Sequence, residues 1–89
     1  MNIGQAIEAA KDGACVARPS WNGKGMFVYY FGEMTEHAAA TGEVLRKREP
    51  YLVMHTAQGT EQAGWLASQA DLLADDWQVV NAPGWQDAD

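Results

Sequence analysis

The residues best equipped for chemistry lie in one run, Arg18-Pro19-Ser20-Trp21-Asn22-Gly23-Lys24-Gly25. An indole sits between two cations, on a stretch whose proline and two glycines mark it as a loop rather than a strand. An indole can stack on a nucleobase, and an asparagine offers amide donors and a carbonyl to a base edge or a ribose hydroxyl. Arginine meets a phosphate through its planar fork and lysine as a point charge. Arg18, Trp21, Asn22 and Lys24 are therefore candidate ligand-binding residues. The competing reading is a tight hairpin loop whose Trp21 folds back on the core.

A second grouping, Trp65, Gln69 and Asp71, falls at a strand-to-helix junction, where the first helical amides can receive an anion. Here the competing reading is a core Trp65 and an Asp71 that caps the helix. Arg46-Lys47-Arg48 is either a locally positive patch for a small anion or a solvated face.

Catalytic chemistry finds little support. His37 and His55 are far apart, and neither has a second histidine at metal-ligating spacing. Cys15 lies between small residues in a core-like segment, and a nucleophilic pair would need it to converge with His55. Ser20 lacks the strand-to-helix elbow of hydrolase nucleophiles. Asp75 and Asp76 are adjacent, so in an extended chain they point to opposite faces and make a poor acid/base pair. The expectation is a protein that is not an enzyme and needs no cofactor or metal.

Composition narrows the class further. Eighty-nine residues make one domain, here taken as residues 1–82 with a frayed tail over 83–89 that carries Trp85. Twelve acidic against six basic residues give a net charge of −6, which argues against general nucleic-acid binding. Five of the six cations nevertheless lie in two short segments, around Trp21 and at 46–48. The single cysteine excludes an internal disulfide and fits a reducing cytosol. No run approaches the ~18 apolar residues that span a bilayer, and nothing reads as a signal peptide, so a cytoplasmic protein with no membrane partner is expected. Four Trp, three Tyr and two Phe exceed what so small a core requires and point to a subunit interface.

The elements that must position these residues follow from local pattern. Asn2 with Gln5 forms a capping box, Ile3, Ala6, Ile7 and Ala10 fall at helical spacing, and Gly13 is a stop, which predicts a helix over 3–12. Ala14–Arg18 reads as a short strand with Cys15 and Ala17 on one face and Val16 on the other, ended by Pro19. Met26–Phe31 reads as a central strand buried on both sides, antiparallel to the first across the Arg18–Gly25 loop. In 32–49, Thr35–Ala40 suggests a helical turn within a surface excursion that could reach a partner subunit. Pro50 opens a strand over Tyr51–Thr56, a turn at Ala57–Thr60 places Gly59 where positive φ is wanted, and Gln62–Leu66 returns. Ser68 to Asp71 repeats the capping-box pattern before a short helix through Ala74, and Asp76–Asn81 is the last strand, with Trp77 in the core. The fold class is α+β: a small twisted antiparallel sheet with one or two packed helices.

Several blocks of this sequence resemble one family. They are Asn2-Ile3-Gly4-Gln5-Ala6-Ile7-Glu8-Ala9, the passage from Val16 through Trp21-Asn22-Gly23-Lys24-Gly25 to Met26, Pro50-Tyr51-Leu52-Val53-Met54, and Trp65 through Ser68-Gln69-Ala70-Asp71 to Asp76-Trp77. Together they look like the small Thoeris anti-defence proteins of the second type, found in phages and prophages. The resemblance runs from Asn2 to Val80, is weakest across 32–49 and is absent from the tail. It implies a sponge that binds and sequesters glycocyclic ADP-ribose, the signal made by a bacterial Toll/interleukin-receptor-domain sensor, without degrading it. It also implies cyclic di- or oligonucleotides as ligands for some relatives, and a homotetramer with ligand sites at subunit boundaries. On that footing Trp21 would stack on adenine and Arg18 and Lys24 would meet the diphosphate. An acidic module that inhibits a host protein by direct binding is the alternative, and a nucleotide-modifying enzyme is a weaker third.

Overall fold

The computed structural model describes residues 1–21 and 25–81. Asn22, Lys24 and the tail with Trp85 fall outside the described residues. Helix α1 covers Ile3–Lys11. Both halves of its capping box form: Asn2 Oδ1 accepts from Gln5 N–H at 2.8 Å, and Gln5 Oε1 accepts from Asn2 N–H at 2.9 Å. Gly13, at φ 102°, turns the chain out of the helix in a conformation that disfavours any residue with a Cβ.

Strands β1 (Cys15–Ala17), β2 (Phe27–Phe31), β5 (Tyr51–His55), β6 (Glu61–Ala63) and β7 (Gln78–Val80) form one antiparallel sheet in the order β6-β5-β2-β1-β7. Strand β2 is central, as its apolar run predicts. Val16 pairs with Val28, and Val28 with Met54, so these three side chains lie in a row on the face that α1 covers. Ala6 and Ala10 of α1, Val16, Val28, Met54 and Trp77 form the principal core, with small alanines letting the helix approach closely.

The opposite face carries no described helix. Cys15, Ala17 and Phe27 are buried there by neighbouring rings: Phe27 stacks on His55 at 4.6 Å and Phe31 on Tyr51 at 5.3 Å. Glu61 accepts a hydrogen bond from the Tyr29 hydroxyl at 2.6 Å and bonds His55 Nδ1, tying β2, β5 and β6 together. Burial on both sides thus holds for Phe27 and Val28, while Tyr29, Tyr30 and Phe31 are half-buried. Cys15 is a core residue, 2% exposed, and burial pushes its thiol pKa up.

Residues 32–49 correct the expected helical turn. Strands β3 (Met34–His37) and β4 (Val44–Arg48) form a separate two-stranded antiparallel hairpin, with Met34 opposite Arg48 and Glu36 opposite Arg46. An isolated helical turn over the six residues Thr35–Ala40 has a costly nucleus. The ladder with β4 gives the same backbone groups immediate partners, and Gly42, at φ 72°, closes the turn. Glu36 bridges Arg46 at 2.9 Å and Arg48 at 3.0 Å. The hairpin lies between β2 and β5 in the chain, so it leaves the five-stranded sheet at the Phe31/Tyr51 end as a separate arm.

Two other boundaries move. The strand expected over Gln62–Leu66 stops at Ala63, because Gly64 (φ 73°) turns the chain and both Gly64 N–H and Trp65 N–H donate to Leu52 O. The last strand begins at Gln78, leaving Trp77 as a 3% exposed core residue.

Candidate functional site

Three segments converge on the face of the sheet that α1 covers: the start of the β1–β2 loop, the turn after β6, and helix α2 (Gln69–Leu73) with the residues that follow it. Pro19 ends β1, and Trp21 N–H donates to Arg18 O at 3.2 Å, a turn that folds the indole back toward the body. Ser68 caps α2, its hydroxyl accepting from Asp71 N–H at 3.1 Å.

The reciprocal half of that second capping box does not form. The Asp71 carboxylate instead reaches across to the loop, where Oδ1 accepts from Trp21 Nε1 at 3.0 Å and from Arg18 Nη1 at 2.8 Å. Arg18 Nε donates to Asp76 Oδ1 at 2.7 Å, so two carboxylates bracket one guanidinium. Asp71 is buried, at 9% exposure. Burial by itself would raise its pKa, but hydrogen bonds from Trp21, Arg18 and Ser68 outweigh that and hold it below the usual carboxylate range. Hydrogen bonds to Asp76 and Asp71 push the Arg18 pKa further up.

Three indoles meet edge to face around this network. Trp21 lies 5.3 Å from Trp77 at 87° and 6.1 Å from Trp65 at 67°, and Trp65 lies 6.1 Å from Trp77. Trp77 Nε1 donates to Asp71 O at 3.0 Å. Trp77 is the buried wall of the cluster, while Trp21 and Trp65 are half-exposed and form an open corner of two indoles. Leu66 and Leu73, 89% and 82% exposed, lie on the same segments.

Of the seven sequence-derived candidates, the fold thus brings together Arg18, Trp21, Trp65 and Asp71. Gln69 is exposed on the first turn of α2. Asn22 and Lys24 belong to the same loop and lie outside the described residues. The anion-receiving role suggested for the α2 junction meets an N-terminus already capped by Ser68. The Arg18 fork is engaged by Asp71 and Asp76 within the chain. Asp76 and Trp77 join the site although sequence reasoning treated them only as a weak acid pair and a core residue. The available signal was charge: two aspartates just before Trp77 and an arginine three residues before Trp21.

Among the described residues, no three His, Cys, Asp or Glu side chains gather into a metal-binding group. No described helix is long and apolar enough to cross a membrane.

The chain matches the profile of the Thoeris anti-defense 2-like domain over residues 1–80. It is similar to "Thoeris anti-defense 2" of Bacillus phage SP01, 34% identical over 88 residues, covering 91% of this chain and 96% of that protein. Arg18, Trp21, Trp65, Asp71, Asp76 and Trp77 all lie inside the matched span, and the chain belongs to the Thoeris anti-defense 2-like family.

Proposed function

We propose that this protein is an anti-defence sponge that binds a cyclic nucleotide-type immune signal, glycocyclic ADP-ribose, and withholds it intact from its effector. The observation that carries the reading is the half-exposed Trp21–Trp65 corner, braced by Asp71 and Trp77 inside the family-matched region. Such a corner suits an adenine ring, stacked on one indole and bounded by the other. Stacking of this kind contributes about 1–3 kcal/mol per base. Asn22 and Lys24, on the same loop, are the groups offered to the ribose and diphosphate, and Gln69 borders the site from α2. Arg18, bracketed by two carboxylates, acts here as a brace, and a diphosphate would bind it only by displacing Asp71 or Asp76.

An open corner encloses one side of a ligand, whereas tight sites bury about 70–90% of a small molecule's surface. The remaining wall comes in this reading from a second copy of the chain, in a homotetramer acting in the host cytosol. The exposed Leu66 and Leu73 beside the corner are the surfaces such a copy would cover. Cyclic di- or oligonucleotides are further ligands of the same chemical class. Native mass spectrometry with glycocyclic ADP-ribose and a panel of cyclic dinucleotides tests the proposal. A tetramer that gains whole ligand masses supports it, and a monomer that gains none of them overturns it.

A second reading, inhibition of a host protein by direct binding, is favoured by the exposed Met34, Val44 and Leu45 of the β3–β4 arm. It predicts that truncating the arm abolishes inhibition while ligand binding persists.

A further inference from the structure

Asp71 stands at the centre of more contacts than a helix cap requires. Its N–H is held by Ser68, its carbonyl accepts the Trp77 indole N–H, and one carboxylate oxygen accepts both the Trp21 indole and the Arg18 guanidinium. The Arg18 and Trp21 partners lie 53 and 50 residues away in sequence. A buried carboxylate is tolerated only when it is paired and hydrogen-bonded. Arg18 meets that need, and Asp76 fixes Arg18 from the other side. The arrangement leaves Oδ1 in one place, facing the loop.

A tryptophan ring has two side-chain torsions, and an anchored N–H together with edge contacts to two other rings fixes both. Trp21 has all three restraints: Asp71 on its nitrogen, Trp65 and Trp77 against its ring. We propose that Asp71 is a positioning residue that holds the Trp21 indole ready to stack, acting through the ring and not by touching the ligand, with Arg18 and Asp76 as the brace that keeps the carboxylate in place. The functional half of this inference rests on the sponge reading above. The structural half, that Asp71 orients the ring, stands independently of it. A side chain that must be ordered during binding lowers affinity, here by about threefold to tenfold.

The test compares wild type with Asp71→Ala, Asp71→Asn, Trp21→Phe and the Trp21→Phe/Asp71→Ala double variant. The first readout needs no ligand. The Trp21 indole N–H resonance, assigned by its loss in Trp21→Phe, is expected to shift and exchange faster with solvent in Asp71→Ala. Asp71→Asn keeps an acceptor oxygen and is expected to lie nearer wild type, and it serves as the probe if the alanine variant does not fold. An unchanged resonance and exchange rate in the substituted proteins would overturn the inference whatever the ligand.

The second readout is calorimetry with glycocyclic ADP-ribose. Asp71→Ala is expected to weaken binding about threefold to tenfold, with Asp71→Asn restoring most of it. In the Trp21→Phe background, which lacks the anchored N–H, the same Asp71→Ala change is expected to alter affinity less than about twofold, because the two effects share one interaction. Equal losses in both backgrounds would mean that Asp71 contacts the ligand directly, and would overturn the positioning role. Wild-type protein that binds no glycocyclic ADP-ribose would refute the sponge reading, and the indole resonance would still decide whether Asp71 orients the ring.

Discussion

Truncating Trp21 to alanine should damage the fold and the proposed ligand site together, and the two losses have separable sizes. Removing a fully buried tryptophan side chain costs about 3–5 kcal/mol. Trp21 is half-buried, packed against both core clusters and edge-on to Trp65 and Trp77, so about half of that, ~2 kcal/mol, is expected from packing. Loss of the indole hydrogen bond to the buried Asp71 adds about 1 kcal/mol. A total of about 3 kcal/mol lowers the melting midpoint of a domain this size by roughly 12–24 °C. Trp21→Phe keeps a ring against the cluster and loses the N–H, so it should lose about a third as much. Differential scanning calorimetry at matched protomer concentration measures both, since assembly would otherwise shift the midpoint by mass action. Binding of glycocyclic ADP-ribose, measured below the lowered midpoint, should weaken about 5- to 150-fold in Trp21→Ala from lost stacking. A midpoint within about 3 °C of wild type would refute the packing described for Trp21, the corresponding energy being under about 1 kcal/mol. Unchanged affinity would remove it from the site.

Acid should weaken the brace. Asp71 is held below the usual carboxylate range in the folded chain, so its contribution is fully present above its unfolded pKa, near 4, and is lost as pH falls through the lower folded value. The midpoint difference between wild type and Asp71→Asn should therefore shrink below about pH 4 in a pH series of melts, and a constant difference would contradict the assigned shift. Val28→Ala, at the 1% exposed centre of the sheet, should cost about 2 kcal/mol in urea unfolding, and a loss below about 0.5 kcal/mol would place the core elsewhere. Glu36→Gln removes two ion pairs in an arm that stands apart from the sheet. It should leave the main melting midpoint unchanged while altering protection of the 34–48 amides in hydrogen exchange.

Local signals in this chain were legible where local physics decides. Asn2 with Gln5 and the Ala6/Ala10 spacing mark α1, Pro50 and the Tyr51–His55 alternation mark β5, and Gly59 at φ 85° marks the following turn. The apolar run Met26–Phe31 marks the central strand, β2 (Phe27–Phe31), because it leaves no charged face. The misread segment, Thr35–Ala40, has helix-compatible residues whose outcome depends on a partner strand at 44–48, and such pairing is not written in the segment itself. The site was half-legible for the same reason. The types at Arg18, Trp21, Trp65 and Asp71 are visible in the sequence, and Asp71 at the third helical position reads equally well as a cap. Its carboxylate turns away from that role because Arg18 and the Trp21 indole, about fifty residues distant, are stronger partners than an exposed backbone amide.

Release of the bound molecule separates sequestration from chemistry. Protein is mixed with glycocyclic ADP-ribose at matched site concentration until the solution no longer activates the Thoeris effector. The mixture is then heated to unfold the protein, and the supernatant is assayed for effector activation and by mass spectrometry. Nanomolar binding, about −12 kcal/mol, would withhold nearly all ligand before heating. A sponge returns intact, fully active signal in proportion to the protein added. A hydrolysed product that grows with time at substoichiometric protein would contradict the sponge reading.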